Sequence, residues 1–142
     1  MGGNLKLFVY GTLMSGFDNQ FALQLHKTVV NIKKAWITGE LFVVTDWHFP
    51  YPVAAYQPEG TTKIFGELLE IDKAKGEILE MIDRYEGIDH KQPTLGEYIR
   101  QNILINTHNG EEYGWAYINN RSLIELRKIT SGNFRMYLKN IK

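Results

Sequence analysis

The chain contains no cysteine. That absence removes disulfide bridges, thiolate metal ligands and cysteine nucleophiles together, and it suits a reducing compartment, so a cytoplasmic location is expected. An excess of one charge is missing too. Sixteen Lys and Arg balance sixteen Asp and Glu, and no basic block runs along the chain, so nucleic acid and anionic lipid are not expected partners. No apolar run approaches the roughly 20 residues of a membrane-spanning helix. The first residues lack the basic lead and small-residue cleavage pattern of an export signal. Gly2 does not open a myristoylation motif, because position 6 is Lys6 rather than Ser or Thr.

Familiar catalytic patterns are scarce. His26, His48, His90 and His108 are scattered without HxH or HExxH spacing, so no metal is expected. Neither GxxxxGK[ST] nor GxGxxG occurs, and no GxSxG frames Ser15, Ser122 or Ser131.

What is present is a chain of 142 residues, 44% hydrophobic and 23% charged, enough for one domain over 1–142 with its own core. Short β-rich runs with a single well-formed amphipathic helix predict an α+β fold rather than a βαβ array. Strands are expected at Leu5 to Tyr10, Lys34 to Val44, Pro52 to Tyr56, Lys63 to Ile71, Glu97 to Thr107 and Glu111 to Ile118. Asn109-Gly110 is the strongest hairpin signal. Gly39 and Gly66 lie inside two consecutive long strands, which implies the strong curvature of a small barrel. A short helix is expected within Asp18 to His26, and a longer one from Lys73 to Glu86, capped by Asp72 and stopped by Gly87. Residues 121–142 read as a C-terminal extension with a helical tail.

The longer helix carries the most informative arithmetic. At about 100° per residue from Ile78, Ile82 falls at about 40°, Leu79 at about 100° and Tyr85 at about 340°. Glu86 falls at about 80°, inside that apolar arc, whereas Glu77, Glu80 and Asp83 fall outside it at about 260°, 200° and 140°. Burial and the negative end of the helix dipole both disfavour an inward carboxylate's charge and raise its pKa, which makes Glu86 a candidate general acid/base. A last turn that frays would instead let Glu86 reach water or cap an amide.

Tyr10-Gly11-Thr12-Leu13 leaves an apolar strand through a glycine. Such a turn can aim successive backbone N–H groups into one concavity and hold an anion without a cationic side chain, although an ordinary tight turn fits the same residues. Tyr98 and Arg100 share one strand face, opposite Ile99, Ile103 and Ile105, so a phenol and a guanidinium project together, as substrate contacts or as a structural anchor and ion pair. Tyr113, Trp115 and Tyr117 form an aromatic stripe on the last strand, a pattern that suits a core as well as a ligand wall.

YGTL at Tyr10 to Leu13, TGELFVV and YPVAAY within Thr38 to Tyr56, FGELLEID at Phe65 to Asp72, IDRYEG at Ile82 to Gly87 and YIR at Tyr98 to Arg100 occur in an order that resembles the γ-glutamylcyclotransferase-like superfamily. The similarity is greatest to the branch of AIG2-like proteins and γ-glutamylamine cyclotransferases, over about residues 5 to 118. The resemblance implies a small mixed-strand β-barrel flanked by helices, with a pocket at one barrel end. It implies that Tyr10, Gly11, Thr12 and Leu13 bind the substrate's α-carboxylate end through main-chain amides, that Glu86 is the acid/base and that Tyr98 lines the site. Leu41, Tyr51, Pro52, Arg100 and Tyr117 are candidate pocket walls. The implied reaction converts a γ-glutamyl amine or γ-glutamyl amino acid to 5-oxoproline and a released amine, and the resemblance implies no cofactor.

The aromatic stretch Trp47 to Pro52 and Met14-Ser15-Gly16, where many relatives carry a basic residue, depart from the family pattern. They leave the recognition of the leaving portion open. The rival reading is a non-catalytic module that binds a small carboxylate on the same barrel.

Overall fold

The computed structural model describes residues 4–45, 49–88, 91–92 and 96–141; Gly2, Trp47, His48 and His90, singled out in the sequence, lie outside them. The elements in chain order are β1 (Leu5–Val9), α1 (Gln20–His26), β2 (Val29–Val44), β3 (Tyr51–Tyr56), β4 (Lys63–Ile71), α2 (Ile78–Tyr85), β5 (Tyr98–Thr107), β6 (Gly110–Asn119), β7 (Arg127–Ile129) and α3 (Phe134–Asn140).

Five strands close on themselves in the order β2-β4-β1-β6-β5, with β5 returning to β2 through Ala35 opposite Thr107 and Trp36 opposite Asn106. Only β1 and β6 run parallel, Leu7 opposite Trp115 and Phe8 opposite Ala116; the other pairs are antiparallel, so the barrel is mixed. The apolar alternation of each strand fills its interior. Phe8, Ile37, Ile64, Leu68, Ile103 and Ile105 are buried there, while Leu7, Leu69 and Ile71 are buried on the opposite face of their strands, and their removal from water is the main stabilising term.

β2 is longer than its sequence pattern predicts because it serves two sheets. Its first part pairs with β4 as far as Thr38 opposite Lys63. Its second part leaves the barrel and pairs with β3, from Gly39 opposite Tyr56 to Val44 opposite Tyr51, and with β7 on its other side. Gly39 stands at the change of partner with φ at 151°, and a Cβ there would lie 2.2 Å from the Ala55 carbonyl oxygen. Only glycine fits that crossing.

The segment Lys73 to Glu86 is not one helix. Asp72 caps as expected, accepting from the Ala74 amide, but it starts a 3₁₀ turn at Lys73–Lys75, and α2 begins only at Ile78. Gly76 sits between the two, where its low helix propensity favours a break. The C-terminal extension also differs from a simple helical tail: it adds β7 to the edge of β2 before α3 forms.

Candidate active site

Glu86 closes the last turn of α2. The Gly87 amide donates to the Arg84 carbonyl and the Ile88 amide to the Asp83 carbonyl, with Gly87 at a φ of 75°, the paired bonds of a Schellman ending. The helix therefore does not fray at Glu86. Leu79, Ile82 and Asp83 form the buried face of α2, and their angular mean falls at about 90° on the helical wheel, which centres Glu86 on that face.

Asp83 corrects the expectation that Glu86 alone points inward. Its residue is 1% exposed. Arg100 Nε and Nη2 donate to its two carboxylate oxygens at 2.7 and 3.1 Å, and the Tyr117 hydroxyl donates to Oδ1 at 2.7 Å. The guanidinium lies over the Trp115 ring, 4.7 Å from its centroid. A buried carboxylate is tolerable with this many donors, and they come from β5 and β6, which a helical wheel cannot see.

A cavity of about 330 Å³ opens beside Glu86, at the small end of the range for metabolite sites. The turn after β1 supplies Tyr10, Gly11, Thr12 and Leu13; β3 supplies Tyr51 and Pro52; α2 and its end supply Tyr85 and Glu86; β5 and β6 supply Tyr98 and Tyr117. Glu97 and Phe49 complete the polar wall and the half-exposed rim. Two of the candidate wall residues do not line it. Leu41 is sealed between Ala54 of β3 and Ile129 of β7, and Arg100 is turned to Asp83. The aromatic stripe of β6 divides likewise: Tyr117 faces the cavity, Trp115 carries Arg100, and Tyr113 is 66% exposed.

Three carbonyls of the turn are engaged by the protein. The Gly11 carbonyl accepts from the Met14 amide at 3.0 Å, that of Thr12 from Asn19 Nδ2 at 2.8 Å, and that of Leu13 from His26 Nε2 at 2.8 Å. The amides of Gly11, Thr12 and Leu13 donate to no described residue. A Cβ on Gly11 would stand 2.7 Å from Pro52 Cγ, so turn and β3 pack without room for a side chain. Farther along, the Ser15 amide and hydroxyl donate to Glu67, and Arg135 of α3 bonds both the Ser15 carbonyl and Glu67. The C-terminal extension thus braces the turn.

The tyrosine hydroxyls are committed. Tyr10 donates to the Tyr117 carbonyl, Tyr98 to the Pro52 carbonyl at 2.7 Å and Tyr51 to Glu97 at 2.5 Å, while Tyr85 shares a hydrogen bond with Thr12 Oγ1 at 3.1 Å. Burial raises the pKa of Tyr10, Tyr98 and Tyr117, and nearby carboxylates push the same way; these phenols stay protonated. Glu86 behaves differently. Burial first, then the carboxylates of Glu97 and Asp83, raise its pKa to about 8, within reach of proton exchange at neutral pH. Its side chain makes no hydrogen bond to a described residue, and it keeps access to the cavity.

Glu97 and Tyr85 were not read from the sequence as part of a site. Tyr85 had a signal in its apolar helical position, and it packs on Phe21 with ring centroids 4.3 Å apart. The sequence pattern opens the strand at Glu97, where alternation sets it opposite Tyr98; β5 instead begins at Tyr98, Glu97 lines the same cavity as Tyr98, and its partner Tyr51 is remote in sequence.

The family model for γ-glutamyl cyclotransferase, AIG2-like, matches residues 7–136. The chain belongs to this family. Among solved structures it is similar to an AIG2-like protein from Mus musculus, at 19% identity and a TM-score of 0.64, over 92% of this chain and 88% of that one. YkqA from Bacillus subtilis is 22% identical with a TM-score of 0.64 over 98% of this chain, which spans only 43% of YkqA. An uncharacterized protein from Pyrococcus horikoshii, at 22% identity and a TM-score of 0.56, is matched over 96% of both chains. These similarities show that the fold is that of the AIG2-like cyclotransferases. No curated protein matches the sequence. Among the described residues no helix is long and apolar enough to cross a membrane.

Proposed function

We propose that the family member described here is a cyclotransferase that converts a γ-glutamyl amine or γ-glutamyl amino acid to 5-oxoproline. The substrate's α-carboxylate rests on the amides of Gly11, Thr12 and Leu13, and its γ-carbonyl folds back toward its own α-amine. Glu86 takes a proton from the α-ammonium as the nitrogen attacks. The new N–C bond closes a five-membered ring; Glu86 returns that proton to the leaving nitrogen as its C–N bond breaks, and then relays the second proton of the ring nitrogen to the released amine, so that a neutral lactam and an ammonium are the products. Tyr98 and Tyr117 wall the folded substrate, and Asp83, pinned by Arg100 and Tyr117, helps keep Glu86 protonatable. Holding both reacting groups in one bound molecule can supply roughly 7–11 kcal/mol of barrier lowering.

The observation that supports this reading is a carboxyl with its pKa raised to about 8 in the same cavity as a turn whose three successive amides have no acceptor among the described residues. The test is to incubate the protein with a panel of γ-glutamyl amides and quantify 5-oxoproline by mass spectrometry. Turnover is expected for at least one amide. Glu86→Gln is expected to lower kcat by roughly 10²–10⁴-fold, the usual worth of a general acid/base, while substrate affinity changes little. A panel without any 5-oxoproline, or a Gln variant of normal rate, overturns the proposal.

A further inference from the structure

Ring closure as written needs an anion cradle and one proton-exchanging carboxylate, yet the cavity wall holds a second carboxylate, Glu97. It is fixed by the Tyr51 hydroxyl at 2.5 Å and not by an ion pair with a described residue. No described Lys, Arg or His lines the cavity. The charge inventory is therefore one-sided. The substrate's α-carboxylate brings a negative charge to the amides, and its α-ammonium becomes a neutral amine once Glu86 has taken the proton. Glu97 then has no cation of a described residue opposite it, in a concave wall that excludes much of the solvent and focuses its field.

We infer that Glu97 is a specificity-determining residue: it selects γ-glutamyl amides whose leaving amine carries a second, cationic amino group, the diamine and polyamine class, and disfavours those whose leaving portion carries a carboxylate. The inference rests on the cyclotransferase reading of the site. The neighbouring wall suits such a group. Phe49, half exposed at the rim, and Tyr51, which opens β3, offer aromatic surface to a methylene chain and to the ammonium at its end. A γ-glutamyl amino acid would instead place another carboxylate against Glu97, and like charges at such separations are a strong device for excluding wrong partners.

The test compares three γ-glutamyl amides of matched length: the 4-aminobutyl amide, the neutral butyl amide and the amide of 4-aminobutanoate, which ends in a carboxylate. For the wild-type protein kcat/KM is expected to fall in that order, by about tenfold or more at each step at low salt, with smaller steps as salt rises. Glu97→Gln retains an acceptor for Tyr51 and removes the charge; it is expected to bring the three values within about threefold of one another. A merely structural role for Glu97 would lower all three rates together and leave their ratios intact, and that result overturns the inference. So does a wild-type protein that prefers the neutral or the anionic amide. If none of the three yields 5-oxoproline, the cyclotransferase reading falls on its own, and calorimetric binding of the same three compounds to the wild-type and Glu97→Gln proteins decides the charge preference separately.

Discussion

The proton affinity that the proposed reaction asks of Glu86 works against the stability of the protein. Its pKa is raised from 4.5 to about 8, first by burial and then by Glu97 and Asp83. Between those values the folded chain keeps a proton that the unfolded chain releases. Folding stability is thus fully retained below about pH 4.5 and declines as pH rises toward about 8. At about 1.4 kcal/mol per pH unit the loss is on the order of 3–5 kcal/mol. Glu86→Gln keeps the size and deletes the titration. In urea titrations it is expected to match the wild type near pH 5 and to exceed it by a few kcal/mol at pH 9. An equal difference at both pH values would show that Glu86 does not titrate there. The side chain's direction was legible in the sequence, because helical phase is a local property. The neighbours that set its proton affinity were not: Glu97 is positioned by a tyrosine on β3 and Asp83 by an arginine on β5.

At the scale of elements, what local pattern governs is what the sequence revealed. The strands, the Asn109-Gly110 turn and the cap at Asp72 follow from alternation, turn chemistry and capping within a few residues. The C-terminal extension depends on contacts the pattern does not encode. Asn133 caps α3, accepting from the Met136 amide, but nothing local shows that α3 reaches back to the turn after β1. Arg135 is the link. It bonds the Ser15 carbonyl and Glu67 and lies over the Phe17 ring, 5.4 Å from its centroid, while Phe134 stacks near the same ring. Because Glu67 also holds the Ser15 amide at 2.7 Å, removing Arg135 releases one side of a shared anchor. Charge-assisted hydrogen bonds of this kind contribute about 1.5–3 kcal/mol, part of which water restores at a half-exposed site. Arg135→Ala is expected to raise KM about three- to tenfold with a smaller change in kcat, since in the proposed reaction the turn binds substrate and carries no proton. Steady-state kinetics check this; a fall in kcat at constant KM would place the brace elsewhere in the cycle.

At the scale of the whole molecule, the cavity exists because β2 belongs to two sheets. The closed barrel fixes the turn after β1 and the strands bearing Tyr98 and Tyr117, whereas Tyr51 and Pro52 come from β3, which is attached to the barrel through the second half of β2. Gly39 is where one half becomes the other. A side chain there meets two penalties, a backbone φ of 151° and a Cβ 2.2 Å from the Ala55 carbonyl oxygen. Gly110 supplies the control: its φ is 124°, but a Cβ would have nothing within 4 Å. Alanine at Gly110 therefore reports backbone strain alone, expected to cost about 1–3 kcal/mol. Alanine at Gly39 adds a steric conflict that only a shift of β3 relieves, so its cost is expected to exceed that of Gly110→Ala by about 1–3 kcal/mol. Because that shift carries Tyr51 and Pro52 away from Gly11, Gly39→Ala is also expected to weaken substrate binding under conditions where the protein remains folded, and Gly110→Ala is not. Urea midpoints and substrate affinities measured for both variants decide the matter: equal costs and equal affinities would mean that β3 does not depend on this crossing and that the cavity wall is held by its own contacts.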